Sequence, residues 1–335
     1  MKNIGKSLLN FLKKNYLRLI IFILLIICLT YELPYTIECP GGIVNIEERL
    51  NGEGINKSKG SFNLTYVSNV PGFISNLIIA KIMPDWDIVK NENIVIDGDT
   101  MQMYEIRSRI DLYSSMSASK YVAYTKAGIT PNIIKEEDYV YYTMPKAKTD
   151  LYVGDVILSY DGIEYKRGDA LTNYIQSKNV GDTITFKVKN IKNKEVERKA
   201  EVFEEEDKHL IGILIYTIYT YKNTPDISYN YNKDEYGPSG GLMMSLAIYN
   251  ALTKEDATKG LKISGTGTID HDGNVGAIGG VKYKILGAIK KKSDVFIIPE
   301  ENYDEAMEVL KNKKSNMKLI KAKTFDQVLD EINKL

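Results

Sequence analysis

The chain has 335 residues, enough for two or three domains and a sizeable core. Its 44 Lys+Arg balance 44 Asp+Glu, so no basic excess points to nucleic acid and no acidic block to a solvating tail. The two cysteines, Cys28 and Cys39, lie too close to an apolar stretch for a disulfide framework or a metal site, and neither a metal nor a cofactor is expected.

At the amino end, Lys2, Lys6, Lys13, Lys14 and Arg18 precede the apolar run Leu19–Leu29. With Tyr16, Leu17 and the flank through Tyr35, residues 16–35 are expected to span the plasma membrane, Arg18 snorkelling to the interface. Cations before the span and Glu32 and Glu38 after it put a basic tail, residues 1–15, in the cytosol and the body of the chain outside. A cleaved signal peptide is the rival reading. No small-x-small site follows the run, and Ile27 before Cys28 suits lipoprotein processing poorly, so an uncleaved anchor is preferred. Cys28 then sits in lipid and Cys39 starts a loop.

Residues 36–125 divide into a strand-rich and a helical part. Ile43-Val44-Asn45-Ile46 and Phe62–Val67 read as strands between Gly and Asn punctuation. From Met101 to Thr125 the apolar residues Met103, Ile106, Ile110 and Tyr113 recur at helical spacing. Ser117-Ala118-Ser119-Lys120 near the end of that helix is a formal S-x-x-K match. Neither usual companion, S-D-N or K-T-G, occurs, and the motif reads as ordinary helix surface.

Residues 126–205 form the next module. Leu151-Tyr152-Val153-Gly154-Asp155-Val156-Ile157-Leu158-Ser159-Tyr160-Asp161-Gly162 resembles the strand–turn–strand of PDZ domains. Asp169–Ile175 then fits a helix beside a peptide groove, and Gly181–Val188 alternates as a returning strand. The resemblance implies capture of an extended peptide at a sheet edge. The candidate binding strand is Tyr139-Val140-Tyr141-Tyr142-Thr143, without a visible Gly-rich carboxylate loop. A β module serving only as a spacer is the alternative.

Residues 206–335 alternate strand and helix, an α+β or α/β pattern. Leu242–Leu252 is apolar on nearly every face and reads as a buried helix. Lys262–Ile269 and Gly273–Ile278 read as strands joined through the Asp272-Gly273 turn, with a helix after Gly279-Gly280. Asp294–Pro299 reads as a buried strand; Tyr303–Leu310, Met317–Ile320 and Phe325–Ile332 complete the pattern.

The chemistry concentrates in Tyr236-Gly237-Pro238-Ser239-Gly240-Gly241 and in Gly279-Gly280-Val281-Lys282-Tyr283-Lys284. Gly237 permits a tight backbone, Pro238 fixes the approach, and Gly240-Gly241 leaves Ser239 unobstructed at the start of an apolar helix, whose amides can hold an oxyanion. With only His209 and His271 in the chain, a Ser-Lys pair is more economical than a Ser-His-Asp triad. A lysine in apolar surroundings can fall from ~10.4 toward ~7–8 and accept the serine proton. Lys282 and Lys284 lie on roughly opposite faces of a helix, and periodicity does not choose between them. Asp270-His271-Asp272 reads as turn surface and His209 as part of a solvated loop.

Gly237-Pro238-Ser239-Gly240-Gly241 is similar to the G-P-S-A-G signature of Lon-type serine peptidases. Gly265-Thr266-Gly267-Thr268-Ile269, the run Gly273–Lys284 and Val295–Asn302 follow the same family's pattern over about 100 residues. With the anchor and the PDZ-like module, the chain resembles the membrane-anchored, PDZ-containing Lon-like proteases of Gram-positive bacteria. The resemblance makes Ser239 the nucleophile and Lys284 its base, with Thr266 placed to hold the lysine amine. Gly240 stands where the family has alanine, and Tyr236 where soluble Lon enzymes have aspartate. No G-x-x-x-x-G-K-[ST] phosphate loop occurs, so ATP is not expected as a partner.

The expected architecture is α+β: a transmembrane helix, a strand-rich segment, a PDZ-like module and a C-terminal Lon-type domain. The expected protein is an ATP-independent serine endopeptidase acting outside the cytosol on exported peptides or membrane-protein segments. Its partners are peptide substrate and, through residues 16–35, the lipid bilayer; a homo-oligomer is compatible, nucleic acid is not. The rival functions are an inactive membrane-bound PDZ adaptor and a signal-peptidase-like Ser-Lys enzyme. The latter keeps its serine near the anchor, whereas Ser239 is about 200 residues beyond it.

Overall fold

The computed structural model describes residues 2–96, 98–166 and 168–335, with side chains from Phe11 onward, so the side chains of Lys2 and Lys6 lie outside the described residues. In chain order the elements are α1 (Lys2–Thr30), β1 (Glu32–Asn45), β2 (Leu50–Asn51), β3 (Ser61–Phe73), α2 (Ile74–Ala80), β4 (Asp87–Lys90) and α3 (Met101–Lys126). There follow β5 (Ile133–Thr143), β6 (Val156–Tyr160), β7 (Ile163–Glu164), α4 (Gly168–Gln176), β8 (Thr183–Lys189), β9 (Glu195–Glu201), β10 (Phe203–Glu205), β11 (Lys208–Leu210) and β12 (Ile213–Tyr221). The last stretch holds β13 (Ser228–Tyr229), α5 (Gly241–Leu252), β14 (Lys262–Gly265), β15 (Thr268–Ile269), β16 (Val275–Gly276), α6 (Val281–Lys290), β17 (Val295–Pro299), α7 (Tyr303–Lys313), β18 (Lys318–Ala322) and α8 (Phe325–Asn333).

The chain forms two compact units, residues 1–41 with 67–94, and residues 42–66 with 95–335. In the first, β4 runs antiparallel to β1 with Tyr35 opposite Lys90 and Glu38 opposite Asp87. The bounds 16–35 expected for a span are corrected here. The helix stops at Thr30 and β1 begins at Glu32, because Pro34 lacks a donor and disfavours helix at Leu33 before it. The apolar run Leu19–Leu29 covers only roughly 16 Å of a ~30 Å hydrocarbon core, behind Lys13, Lys14 and Arg18. Among the described residues no helix is long and apolar enough to cross a membrane. Cys39 is not in a loop either: it lies buried within β1, its thiol 3.5 Å from the Ser68 carbonyl.

Among the described residues the second unit is built on two larger sheets, beside the two-stranded pairs β10–β11, β13–β2 and β15–β16. In one, β18, β17, β14 and β3 are consecutive and parallel, with Ile263 between Phe62 and Val295. The strands Val295–Pro299 are buried throughout, the pattern of a parallel sheet covered on both faces. Against it packs α5, whose Leu242, Met243, Leu246 and Ile248 are fully buried; each contributes about 1.5–3 kcal/mol of burial. The same core takes Phe62, Ala118, Val122 and Ala123 from before residue 127 and Ile227, Leu242 and Phe325 from after it. Residues on either side of the middle module therefore build one core, and the module is an insertion between α3 and β13.

The inserted module is a sheet of order β12-β5-β6-β8-β9 over the cluster Leu171, Ile175, Ile184, Phe186 and Val188. Its Asp161-Gly162 turn takes positive φ at both residues, 45° and 79°, as a tight hairpin requires. The insertion's two ends are tied together: Lys222 N–H donates to Asn132 O (2.9 Å), and Asn223 Nδ2 donates to Thr130 O (2.9 Å).

Two further expectations change. The strand expected over Lys262–Ile269 breaks into β14 and β15 at Thr266-Gly267, because the Gly267 N–H leaves the sheet to donate to Ser239 O at 2.8 Å. Ser117-Ala118-Ser119 is not helix surface: these residues are 5%, 3% and 0% exposed, since α3 is a central helix packed along α5.

Candidate active site

The turn before α5 is held at each residue. Gly237 has φ +84°, a conformation that side-chain-bearing residues resist, and its N–H donates to Ser108 O at 2.8 Å. Pro238 O accepts from Ser115 Oγ (2.8 Å) and from the Gly241 N–H (3.1 Å). Ser239 O accepts from Thr266 Oγ1 (2.9 Å) and from the Gly267 N–H (2.8 Å). Gly240 has ordinary helical geometry, φ −92° and ψ −6°, and a Cβ there would meet nothing nearer than Leu64 Cδ2 at 3.6 Å. Alanine therefore fits at 240. At Gly241 it does not, because a Cβ would stand 2.5 Å from Ser115 Oγ.

The lysine comes from α6, which opens at Gly280 in the left-handed conformation, φ 70°. Asn302 pins the approach to that helix, accepting from the Ile278 N–H (2.9 Å) and donating to Ile278 O (3.0 Å). Lys284 is only 4% exposed, and its burial lowers the amine from 10.5 to about 8. Its Nζ donates to Thr266 Oγ1 at 3.1 Å. The two lysines of the motif are thus distinguished: Lys284 points into the core beside Thr266, while Lys282 is partly exposed with Nζ 5.3 Å from the Tyr283 ring centre. Thr266 joins the two segments, its single proton directed to Ser239 O and its lone pair receiving the lysine.

Gly237, Pro238, Ser239, Gly240, Thr266 and Lys284 are brought into one place by three elements: the cap of α5, the break after β14 and the first turns of α6. His271 is elsewhere, on the β15–β16 turn between the rings of Tyr121 (5.2 Å) and Tyr219 (5.9 Å). Tyr236 is 44% exposed with the Arg109 guanidinium 5.4 Å from its ring centre. What the sequence reading missed is α3: the Ser108 carbonyl and the Ser115 and Ser119 hydroxyls all bond the turn that carries Ser239. The spacing of four between Ser115 and Ser119, one face of a helix, was the available signal.

The candidate peptide strand 139–143 is corrected. β5 has both edges in use, Tyr139 facing Tyr216 on β12 and Val156 on β6. A third strand cannot add to it. The sheet's terminal strand on that side is β12, with Leu214 53% and Tyr216 39% exposed and Ile213 and Ile215 packed on the cluster that contains Leu171 and Ile175 of α4.

Residues 231–334 match the Lon protease (S16) C-terminal proteolytic domain, and residues 127–202 match the PDZ domain. The chain carries a Lon-type serine peptidase domain and a PDZ domain. The Lon protease of Fusobacterium nucleatum is 38% identical over 92 residues, 28% of this chain and 12% of that protein. The Lon protease of Clostridioides difficile is 36% identical over 95 residues, again 28% of this chain and 12% of the relative. The chain thus aligns with about an eighth of the length of the curated relatives it matches. The PDZ domain of an SdrC-like protein from Listeria innocua is 31% identical, covering 24% of this chain and 93% of that one at a TM-score of 0.22. The matched part of the Lon-type domain begins at Tyr231; β3 and α3, which complete its core, stand before the PDZ insertion.

Proposed function

We propose that the chain is an ATP-independent serine endopeptidase in which Ser239 attacks the scissile carbonyl and Lys284 is the general base. The observation that carries this is a buried lysine, lowered by desolvation to about 8, one hydrogen bond from the threonine that holds the serine's carbonyl. A neutral amine takes the Ser239 proton as its oxygen bonds to the carbonyl carbon, then returns it to the departing amine. Water attacks the acyl-enzyme by the same route, releasing the second product and regenerating the serine. The Gly241 and Leu242 amides are spent on Pro238 O and Gly267 O, so the oxyanion donors are assigned to the Ser239 and Gly240 amides ahead of them.

The PDZ domain is assigned the task of gripping substrate as an added strand along β12, since β12 is the terminal strand of its sheet. The protein is placed at the plasma membrane with this unit outside the cytosol. Supporting that, Ile21, Phe22, Ile23, Leu24 and Leu25 of α1 are each more than half exposed, behind Lys13, Lys14 and Arg18, which can snorkel to extend a short apolar segment. Substrates are exported peptides or extracytosolic parts of membrane proteins, already extended, in keeping with residues 1–335 carrying no phosphate-loop motif for driven unfolding. The test is labelling by a fluorophosphonate probe with mass-spectrometric site mapping: modification of Ser239 in the wild type and its loss in Lys284→Ala are expected. A wild-type chain unlabelled at Ser239 refutes the reading.

A further inference from the structure

We infer that α3, a helix outside both matched segments, is the positioning element of the nucleophile turn, acting through Ser115 and Ser119; the inference rests on the Ser239–Lys284 reading above. Three residues on one face of α3 reach the turn. Ser108 O accepts from the Gly237 N–H at 2.8 Å. Ser115 Oγ donates to Pro238 O at 2.8 Å. Ser119 Oγ lies 2.8 Å from Gly241 O and 2.6 Å from Ser115 O, sharing one proton between them. The contacts bracket Ser239 and Gly240 from both sides, fixing Gly237 and Pro238 before them and Gly241 after.

Ser115 and Ser119 are 5% and 0% exposed, so water does not compete for these bonds. The close approach is specific to this pair of sequences: Gly241 leaves the space that Ser115 Oγ occupies, and a Cβ there would come within 2.5 Å of it. From the opposite side Thr266 Oγ1 and the Gly267 N–H hold Ser239 O, and Gly267 O takes the Leu242 N–H (3.0 Å). Loss of the α3 contacts leaves these two points fixed but loosens Gly237, Pro238 and Gly241 around them, which shifts both the hydroxyl and the Ser239 and Gly240 amides. A second role follows from the same helix. Ser114 Oγ bonds Tyr216 OH of β12 at 3.1 Å, and the Tyr121 ring lies 5.8 Å from that of Tyr221, tilted by 49°. The PDZ strand assigned to substrate thus leans on the helix that sets the catalytic turn.

The experiment uses the full chain and an unstructured fluorogenic peptide, with kcat expressed per site titrated by the fluorophosphonate probe. Ser115→Ala and Ser119→Ala should each lower kcat by about tenfold or more with KM within about twofold, since a small misplacement of the nucleophile acts on the chemical step. The pH midpoint should stay at the wild-type value, because Lys284 is untouched. Tyr124→Phe is the control: it removes another buried α3 hydroxyl, bonded to Pro225 O (2.7 Å) and the Ile227 N–H (3.0 Å), away from the turn. It should lower stability and leave kcat per site unchanged. If Ser115→Ala folds poorly, Ser115→Cys keeps the volume with a weak donor, and Gly241→Ala disturbs the same contact from the other side; both should show the kcat loss. Unchanged kcat per site in the serine variants, or an equal loss in Tyr124→Phe, overturns the positioning role. Failure of the wild type to label at Ser239 overturns the peptidase reading and this inference with it.

Discussion

Replacing Lys284 by methionine should abolish peptide cleavage and, near neutral pH, make the protein more stable. The ammonium is 4% exposed, and its drop from 10.5 to about 8 on folding corresponds to roughly 3 kcal/mol of desolvation cost. Methionine has a similar length and carries no charge. It leaves the Thr266 hydroxyl without its donor, a loss of about 1 kcal/mol, for a net gain of about 2 kcal/mol below pH ~8. The pH dependence is the sharper test. Below about 8 both folded and unfolded wild type keep the lysine proton, and the full cost is present. Between about 8 and 10.5 the unfolded chain still binds the proton that the folded one has released, so wild-type stability rises with pH by up to ~1.4 kcal/mol per pH unit. The advantage of Lys284→Met should therefore shrink across that window and reverse above it, to a deficit of about 1 kcal/mol. Urea unfolding of both proteins in detergent, followed by far-UV circular dichroism from about pH 6.5 to 9.5, measures the difference. An advantage that does not change with pH, or a variant less stable than wild type at pH ~6.5, refutes a desolvated lysine.

For catalysis, log(kcat/KM) should climb with slope one up to a midpoint near pH 8 and then level; a profile flat from about pH 6 to 9 would exclude Lys284 as the base. Lys284→Ala and Ser239→Ala should each abolish turnover without adding in the double variant, while Lys282→Ala keeps most activity, a ranking that a dead Lys282→Ala would reverse. Gly240→Ala should stay within about twofold of wild-type kcat, since its Cβ meets only ordinary contacts. Gly237→Ala should cost about 1–2 kcal/mol in thermal or urea unfolding because of its φ of +84°. Excising residues 131–222 through a short linker should preserve cleavage of a short unstructured peptide while weakening capture of long ones, because the insertion's ends are already tied at Asn132–Lys222 and Thr130–Asn223. Equal loss on both substrates would show that the insertion is needed to hold the core.

The sequence by itself determined the local pieces: the buried helix Leu242–Leu252, the strand Val295–Pro299, the helix following Gly280, and the Asp161-Gly162 hairpin. Each is written in a short period or a turn residue, and each forms where the pattern puts it, to within a few residues. The resemblance to Lon-type peptidases also put Ser239, Thr266 and Lys284 forward together, while the glycines and proline around them mark a backbone that must bend there. The long-range relations were not legible in the chain. β3 lies parallel to β14 across about 200 residues, and nothing in the spacing of Phe62 or Ile263 encodes that pairing. Whether Ser115 and Ser119 are surface or core depends on α5 arriving beside them, so a helix with weak amphipathicity concealed its role. The edge status of β5 was likewise invisible, because its alternation is the same whether or not β12 pairs with it. Periodicity left Lys282 and Lys284 open and the family resemblance favoured Lys284; the packing supplies the physical ground, since Lys284 faces Thr266 in a dry interior while Lys282 is partly exposed, and it is the packing around α6, rather than the residue type, that lowers one amine toward neutrality.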